Sequence, residues 1–159
     1  MTTRPSSIQR ELKQTRPFPT AAQEAAVSLL RTADVLRSDL ERALGPHGVT
    51  AQQYNVLRIL RGALPESMPT LEVGARLIER QPGVTRLLDR IEARGLVTRQ
   101  RCREDRRRVL CRITPAGLKA LEAADAPLNR IEAQRLGRLR PAEVATLIRL
   151  LDRLREESG

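Results

Sequence analysis

The chain has 159 residues and a formal charge of +10, with 29 Lys plus Arg against 19 Asp plus Glu. Lys13 and Lys119 are its only lysines, so the basic excess is Arg, and it has one Phe, one Tyr and no Trp. The length suits one domain, or a small domain with helical extensions, and a hydrophobic content of 40% excludes a disordered basic tail. A core here must be aliphatic. The missing aromatics argue against RNA binders that stack bases. The positive balance points to nucleic acid or an anionic membrane surface, and Arg in place of Lys leans toward nucleic acid, because the guanidinium fork fits phosphates and guanine edges. No stretch has the length of a membrane span, no signal peptide is expected, and Cys102 and Cys111 do not make a secreted disulfide scaffold. The expected location is cytoplasmic.

Residues 1–19 carry Pro5, Pro17 and Pro19 without hydrophobic periodicity, which predicts a flexible basic arm. Thr20 can cap a helix over residues 20–44. Ala22, Ala26, Leu29, Ala33, Leu36, Leu40 and Leu44 form one apolar stripe on it, and Gly45-Pro46 ends it. Thr50-Ala51-Gln52-Gln53 is a capping-box pattern, opening a helix that stops near Gly62. Pro65 to Pro69 predicts a loop. Thr70 is then placed to cap a short helix through Leu77 and Ile78, where Gly74 lets a neighbouring helix approach closely.

Pro82 suits the first turn of the next helix, which runs to about Arg94 with Val84, Leu87, Leu88 and Ile91 on its apolar face. Gly95 followed by Leu96 predicts a Schellman stop. Two strand-like runs follow, Leu96–Arg101 and Val109–Ile113, around the charged tip Cys-Arg-Glu-Asp-Arg-Arg-Arg. Thr114-Pro115 starts a long helix, with a kink expected at Pro127. Pro141 opens a last helix carrying Val144, Leu147, Leu151 and Leu154. The predicted class is mainly α: a winged helix-turn-helix with a two-stranded wing and a helical dimerisation region. The expected division is an arm (1–19), a dimerisation region (20–48 and 115–159) and a DNA-binding lobe (49–114). The small centre cannot cover the stripes on the outer helices, which predicts a homodimer.

Charge is concentrated in the middle of the chain. Residues 82–113 carry +6 of the +10 and residues 1–19 carry +3, while the remaining segments are nearly balanced. A charge run is usually a solvated face, but confinement to one helix and one hairpin favours a binding surface.

These stretches together resemble the MarR (multiple antibiotic resistance regulator) family of bacterial transcription factors. The resemblance is carried by VTAQQYNVLRIL (Val49–Leu60), VTRLLDRIEARGLV (Val84–Val97), EDRRRVLCRITPAG (Glu104–Gly117) and LRPAEVATLIRLLDRL (Leu139–Leu154), in that order, over roughly residues 20–156. It implies a winged helix-turn-helix dimer that binds DNA sequence-specifically, often as a repressor released by a small ligand. Where the family often has hydroxyl residues this chain has Pro82-Gly83, and where the wing often has Asp-Pro it has Cys102-Arg103.

A dimer would set two recognition helices in major grooves about 34 Å apart, on a pseudo-palindromic operator. Thr85, Arg86 and Arg90 stand on the polar face of the helix after Gly83, for base edges or phosphates. The bland alternative for the two Arg is a solvated surface or an ion pair with Asp89. In the wing, Asp105 and Arg107 match the family's Asp-x-Arg pattern. Arg107 at a hairpin tip can enter a narrow minor groove, with Asp105 orienting it. Arg103, Arg106 and Arg108 would add phosphate contacts.

His47 and Tyr54 are candidates for bordering a ligand pocket, with a surface loop and helix packing as their ordinary roles. Cys102 and Cys111 are expected roughly across the hairpin from each other, where nearby Arg would favour thiolate and allow a redox switch. Cys111 is also expected to face the core. No cofactor or metal is expected, since one His without nearby ligand spacing is a poor metal case. No HExxH, Walker A, Gly-x-Ser-x-Gly or Cys-x-x-Cys pattern occurs, so no enzymatic activity is expected. The expected partners are double-stranded DNA, a second copy of the chain and a small-molecule effector, without a membrane. The alternative to a ligand-responsive regulator is a sequence-tolerant architectural DNA-binding protein.

Overall fold

The structure is a computed structural model that describes residues 6–79 and 83–156. The element order is α1 (Ser7–Glu11), α2 (Ala21–Leu44), a 3-10 turn (Gly45–His47), α3 (Ala51–Gly62), β1 (Met68–Pro69), α4 (Thr70–Ala75), α5 (Val84–Ala93), β2 (Val97–Arg101), β3 (Val109–Ile113), α6 (Pro115–Leu136) and α7 (Pro141–Arg155). The chain forms two compact units, Met1–Leu40 and Glu41–Gly159.

In the first unit, the stretch expected to be a flexible arm contains α1. Ser6 caps it through a complete capping box with Gln9, a local signal that the proline-rich surroundings obscured. Helix α2 starts where expected, with Thr20 Oγ1 accepting from Gln23 N at 3.2 Å.

In the second unit, Thr50 and Gln53 make both bonds of the predicted capping box on α3. The core gathers Val56, Leu57 and Leu60 of α3, Val73 of α4, Leu87, Leu88 and Ile91 of α5, Val97, Cys111 and Ile113 of the sheet, and Leu121 of α6. It is aliphatic, as the composition requires. Gly74 sits against Val84, and a Cβ there would lie 3.0 Å from Val84 Cγ2, which is the close approach anticipated for it.

Three local expectations change. Met68–Pro69 is a third strand, not a loop, pairing antiparallel with β3 at Cys111 and Leu110, so the sheet order is β1-β3-β2. Helix α4 ends at Ala75, with Pro69 as its N-cap. Thr70 does not cap it: its hydroxyl donates to the Val109 carbonyl at 3.1 Å and lies 3.4 Å from Cys111 Sγ, joining α4 to the sheet. Helix α6 runs over Pro115–Leu136 as the long helix expected, with Pro127 inside it. Its first turn, capped by Thr114, carries Gly117 so close to the sheet that a Cβ would fall 2.1 Å from the Leu96 carbonyl oxygen.

Candidate nucleic-acid interface

Helix α5 presents two faces set by its 3.6-residue period. Leu87, Leu88 and Ile91 are buried, while Thr85, Arg86, Asp89 and Arg90 are exposed. Gly83 precedes the helix at φ 111°, a conformation that favours glycine. The reading of Pro82 as a first-turn residue lies outside the described residues. At the other end, Gly95 N bonds the Glu92 carbonyl and Leu96 N bonds the Ile91 carbonyl, the two bonds of the Schellman stop. Leu96 is buried beneath them. Arg94, at this end of α5, donates to Gln53 Oε1 at 3.0 Å and so ties the helix to the capping box of α3.

Strands β2 and β3 pair from Val97↔Ile113 to Arg101↔Val109. The tip closes with Cys102 N on the Arg108 carbonyl and Arg108 N on the Asp105 carbonyl, each at 2.9 Å. Asp105 Oδ1 accepts from the backbone N–H of Arg107 at 3.0 Å. Asp105 therefore shapes the main chain of the turn, where orientation of the Arg107 guanidinium was anticipated. Arg103, Arg106, Arg107 and Arg108 are all exposed on this tip. Among the described residues, Arg86, Arg90, Arg101, Arg103, Arg106, Arg107, Arg108 and Arg112 make no side-chain ion pair. Their charge is left facing solvent on one helix and one hairpin.

The carboxylates of α5 are occupied by a residue that sequence reasoning passed over. Arg99 of β2 donates from Nε to Glu92 Oε2 at 2.8 Å and from its backbone N to Glu92 Oε1 at 2.9 Å. Its terminal nitrogen reaches Glu92 Oε2 at 2.6 Å and Asp89 Oδ1 at 2.5 Å. Asp89 is thus paired with Arg99, not with Arg86 or Arg90. The hydrogen bonds to Glu92 hold the guanidinium in its charged form against the cost of burial. A signal was present: Asp89 and Glu92 lie one turn apart on α5, and Arg99 follows on the next strand.

The cysteines do not face each other. Cys111 lies opposite Arg99, whereas Cys102 sits at the tip against Arg108. Three residues of strand, about 10 Å, exceed the separation of about 7 Å that a disulfide bridges. Cys111 is fully buried, and burial pushes its thiol pKa up, away from the thiolate expected of it. Its expected place in the core is the one observed.

His47 ends the 3-10 turn, half-buried. Tyr54 joins α3 to α6: its hydroxyl donates to Asp125 Oδ1 at 2.6 Å, and Arg61 donates to Asp125 Oδ2 at 2.6 Å. Arg58 stacks 5.9 Å from the Tyr54 ring centre. Burial, then the bond to Asp125, push the Tyr54 pKa up to about 12. Burial alone would raise the Asp125 carboxyl, but its bonds from Tyr54 and Arg61 together hold it below the usual range.

The sequence model described as the MarR family matches residues 47–108, from the 3-10 turn through the wing tip. A MarR transcription factor from Planctomyces limnophilus is 40% identical, with 86% of this chain and 98% of that chain covered and a TM-score of 0.66. The transcriptional repressor CouR, solved bound to a 23-mer DNA duplex, shares the fold at 23% identity, with 89% and 100% covered and a TM-score of 0.75. The PcaV transcriptional regulator from Streptomyces coelicolor, solved with its natural ligand, shares it at 22% identity, with 91% and 100% covered and a TM-score of 0.74.

Proposed function

Because the chain belongs to the MarR family of DNA-binding transcriptional regulators, we propose that it works as a homodimeric repressor on a pseudo-palindromic operator, released by a small ligand. Its reading head is α5 together with the β2–β3 wing. The observation that carries this is the set of exposed arginines without ion pairs on those two elements, beside a fully apolar inner face on α5. Thr85 and Arg86 lie in the first turn of α5, where a helix entering the major groove meets base edges, and Arg90 follows one turn on. Arg107 at the wing tip enters the adjacent minor groove, where a narrow groove concentrates negative potential. Arg103, Arg106 and Arg108 lie on phosphates. Asp105 holds the turn and leaves the groove to its neighbours.

Relatives of this fold solved on DNA and with a ligand support the partner classes. Dimerisation rests on the exposed apolar residues of the outer helices, including Leu29 and Leu30 of α2 and Ile148, Leu150 and Leu154 of α7. The ligand-facing candidates are His47 and Tyr54, with the Tyr54 hydroxyl already engaged by Asp125.

The direct test is Arg107→Ala, titrated against operator duplex at fixed salt. Loss of one minor-groove Arg per protomer should weaken binding at least tenfold per dimer, at about 1–3 kcal/mol for each specific contact. Dimer mass should be unchanged. Wild-type affinity in the variant would refute the assignment.

A further inference from the structure

Arg99 is an Arg of the wing that is turned away from solvent. Its side chain is 19% exposed, against exposed guanidiniums at Arg101, Arg103, Arg106, Arg107 and Arg108. It donates three bonds to both oxygens of Glu92 and a fourth to Asp89, two carboxylates one turn apart on α5. One of the four comes from the backbone, so β2 itself is fixed to α5, not only a side chain. Opposite Arg99 in the ladder stands Cys111, which is buried in the core and also pairs with Met68 of β1.

We propose that Arg99 is the positioning residue for the wing: its clamp on Asp89 and Glu92 locks the root of the β2–β3 hairpin to the recognition helix, so that α5 and Arg107 engage DNA in one fixed geometry. This role presupposes the minor-groove contact given above to Arg107. The reason is leverage. The tip begins three residues beyond Arg99, at Cys102, about 10 Å further along the strand. From Cys102 to Arg108 the hydrogen bonds are made within the hairpin itself, so the angle of the tip is set where its two strands are held: β3 at Leu110 and Val109 by Pro69 and Thr70, and β2 at Arg99 by Asp89 and Glu92. A tilt at the root is carried outward to Arg107, and a contact misplaced by about 1 Å loses most of its value. The clamp also pairs both carboxylates of α5 with one guanidinium, whose single charge offsets one of their two.

The experiment is a double-mutant cycle on the dimer with operator duplex at fixed salt, using Arg99→Met, Arg107→Ala and the double variant. Thermal midpoint and dimer mass are recorded for each. If Arg99 acts through the tip, Arg99→Met weakens binding about tenfold in the wild-type background and less than about twofold in Arg107→Ala, because the contact it positions is already gone. Hydroxyl-radical protection of the outer minor grooves is lost in Arg99→Met, while protection of major-groove guanines from methylation remains. Equal losses in both backgrounds overturn the proposal, because baring Asp89 and Glu92 or loosening the fold would act irrespective of Arg107. Arg99→Lys, which keeps the cation but not the fork, should give an intermediate loss that is likewise absorbed in Arg107→Ala. It applies the same criterion if Arg99→Met does not fold. If Arg107→Ala alone binds like wild type, it is the minor-groove reading of the wing that fails.

Discussion

Tyr54 carries the only aromatic hydroxyl in the chain, and it is committed to Asp125 between α3 and α6. The pair has a pH signature. An unfolded Tyr titrates near pH 10, and the folded hydroxyl titrates at about 12. Protonated Tyr54 is therefore favoured in the folded state. Its contribution is complete below about pH 10 and is lost as pH rises from there through 12. Asp125 works in the opposite direction. Its folded carboxyl titrates below the usual range, so its contribution is present above about pH 4 and is lost as pH falls through the lower folded value. Denaturation against pH should show Tyr54→Phe destabilised by about 1 kcal/mol at neutral pH and flatter than wild type between about pH 10 and 12. With two lysines in the chain, that window has few competing groups. Parallel curves for the two proteins would show that the hydroxyl carries no such linkage.

Legibility at the level of elements followed sequence distance. Caps at Thr20, Thr50 and Thr114 and the stop at Gly95 are encoded within four or five residues, and each is present. The apolar face of α5 was equally readable, and with it the exposed Thr85, Arg86 and Arg90. Strand β1 was not, because two residues ending in Pro carry no alternation and their partners, Leu110 and Cys111, lie some forty residues away. The same distance hid the true use of Thr70, which local rules assign to a cap and the fold assigns to Val109. Arg99 was counted as one more charge of the wing, since charge sums do not distinguish an Arg aimed at phosphate from one that pairs with Asp89 and Glu92. Helix α7 shows the converse. It has no buried residue in the single chain, although its apolar stripe was plain. That stripe is assigned here to a second copy. Replacing Ile148 and Leu154 with Glu should therefore give monomers in light scattering, with helical content retained. A variant that remains a dimer would move the interface elsewhere.

At the scale of the whole molecule, residues 82–113 carry +6 of the +10. Exposed arginines are present on α5 and the wing, while Arg61, Arg94 and Arg99 are engaged within the chain by Asp125, Gln53 and the carboxylates of α5. Two protomers neutralising about 8 phosphates should give a slope of log K against log salt near −7. A salt slope alone does not separate a sequence reader from an architectural protein. Paired titrations do: wild-type dimer at one salt concentration, against a duplex recovered by mapping bound genomic fragments and against the same duplex shuffled. A sequence-specific regulator predicts a preference of about a thousandfold or more for the recovered site. Equal affinity for both duplexes would contradict it and leave a protein that holds DNA without reading it.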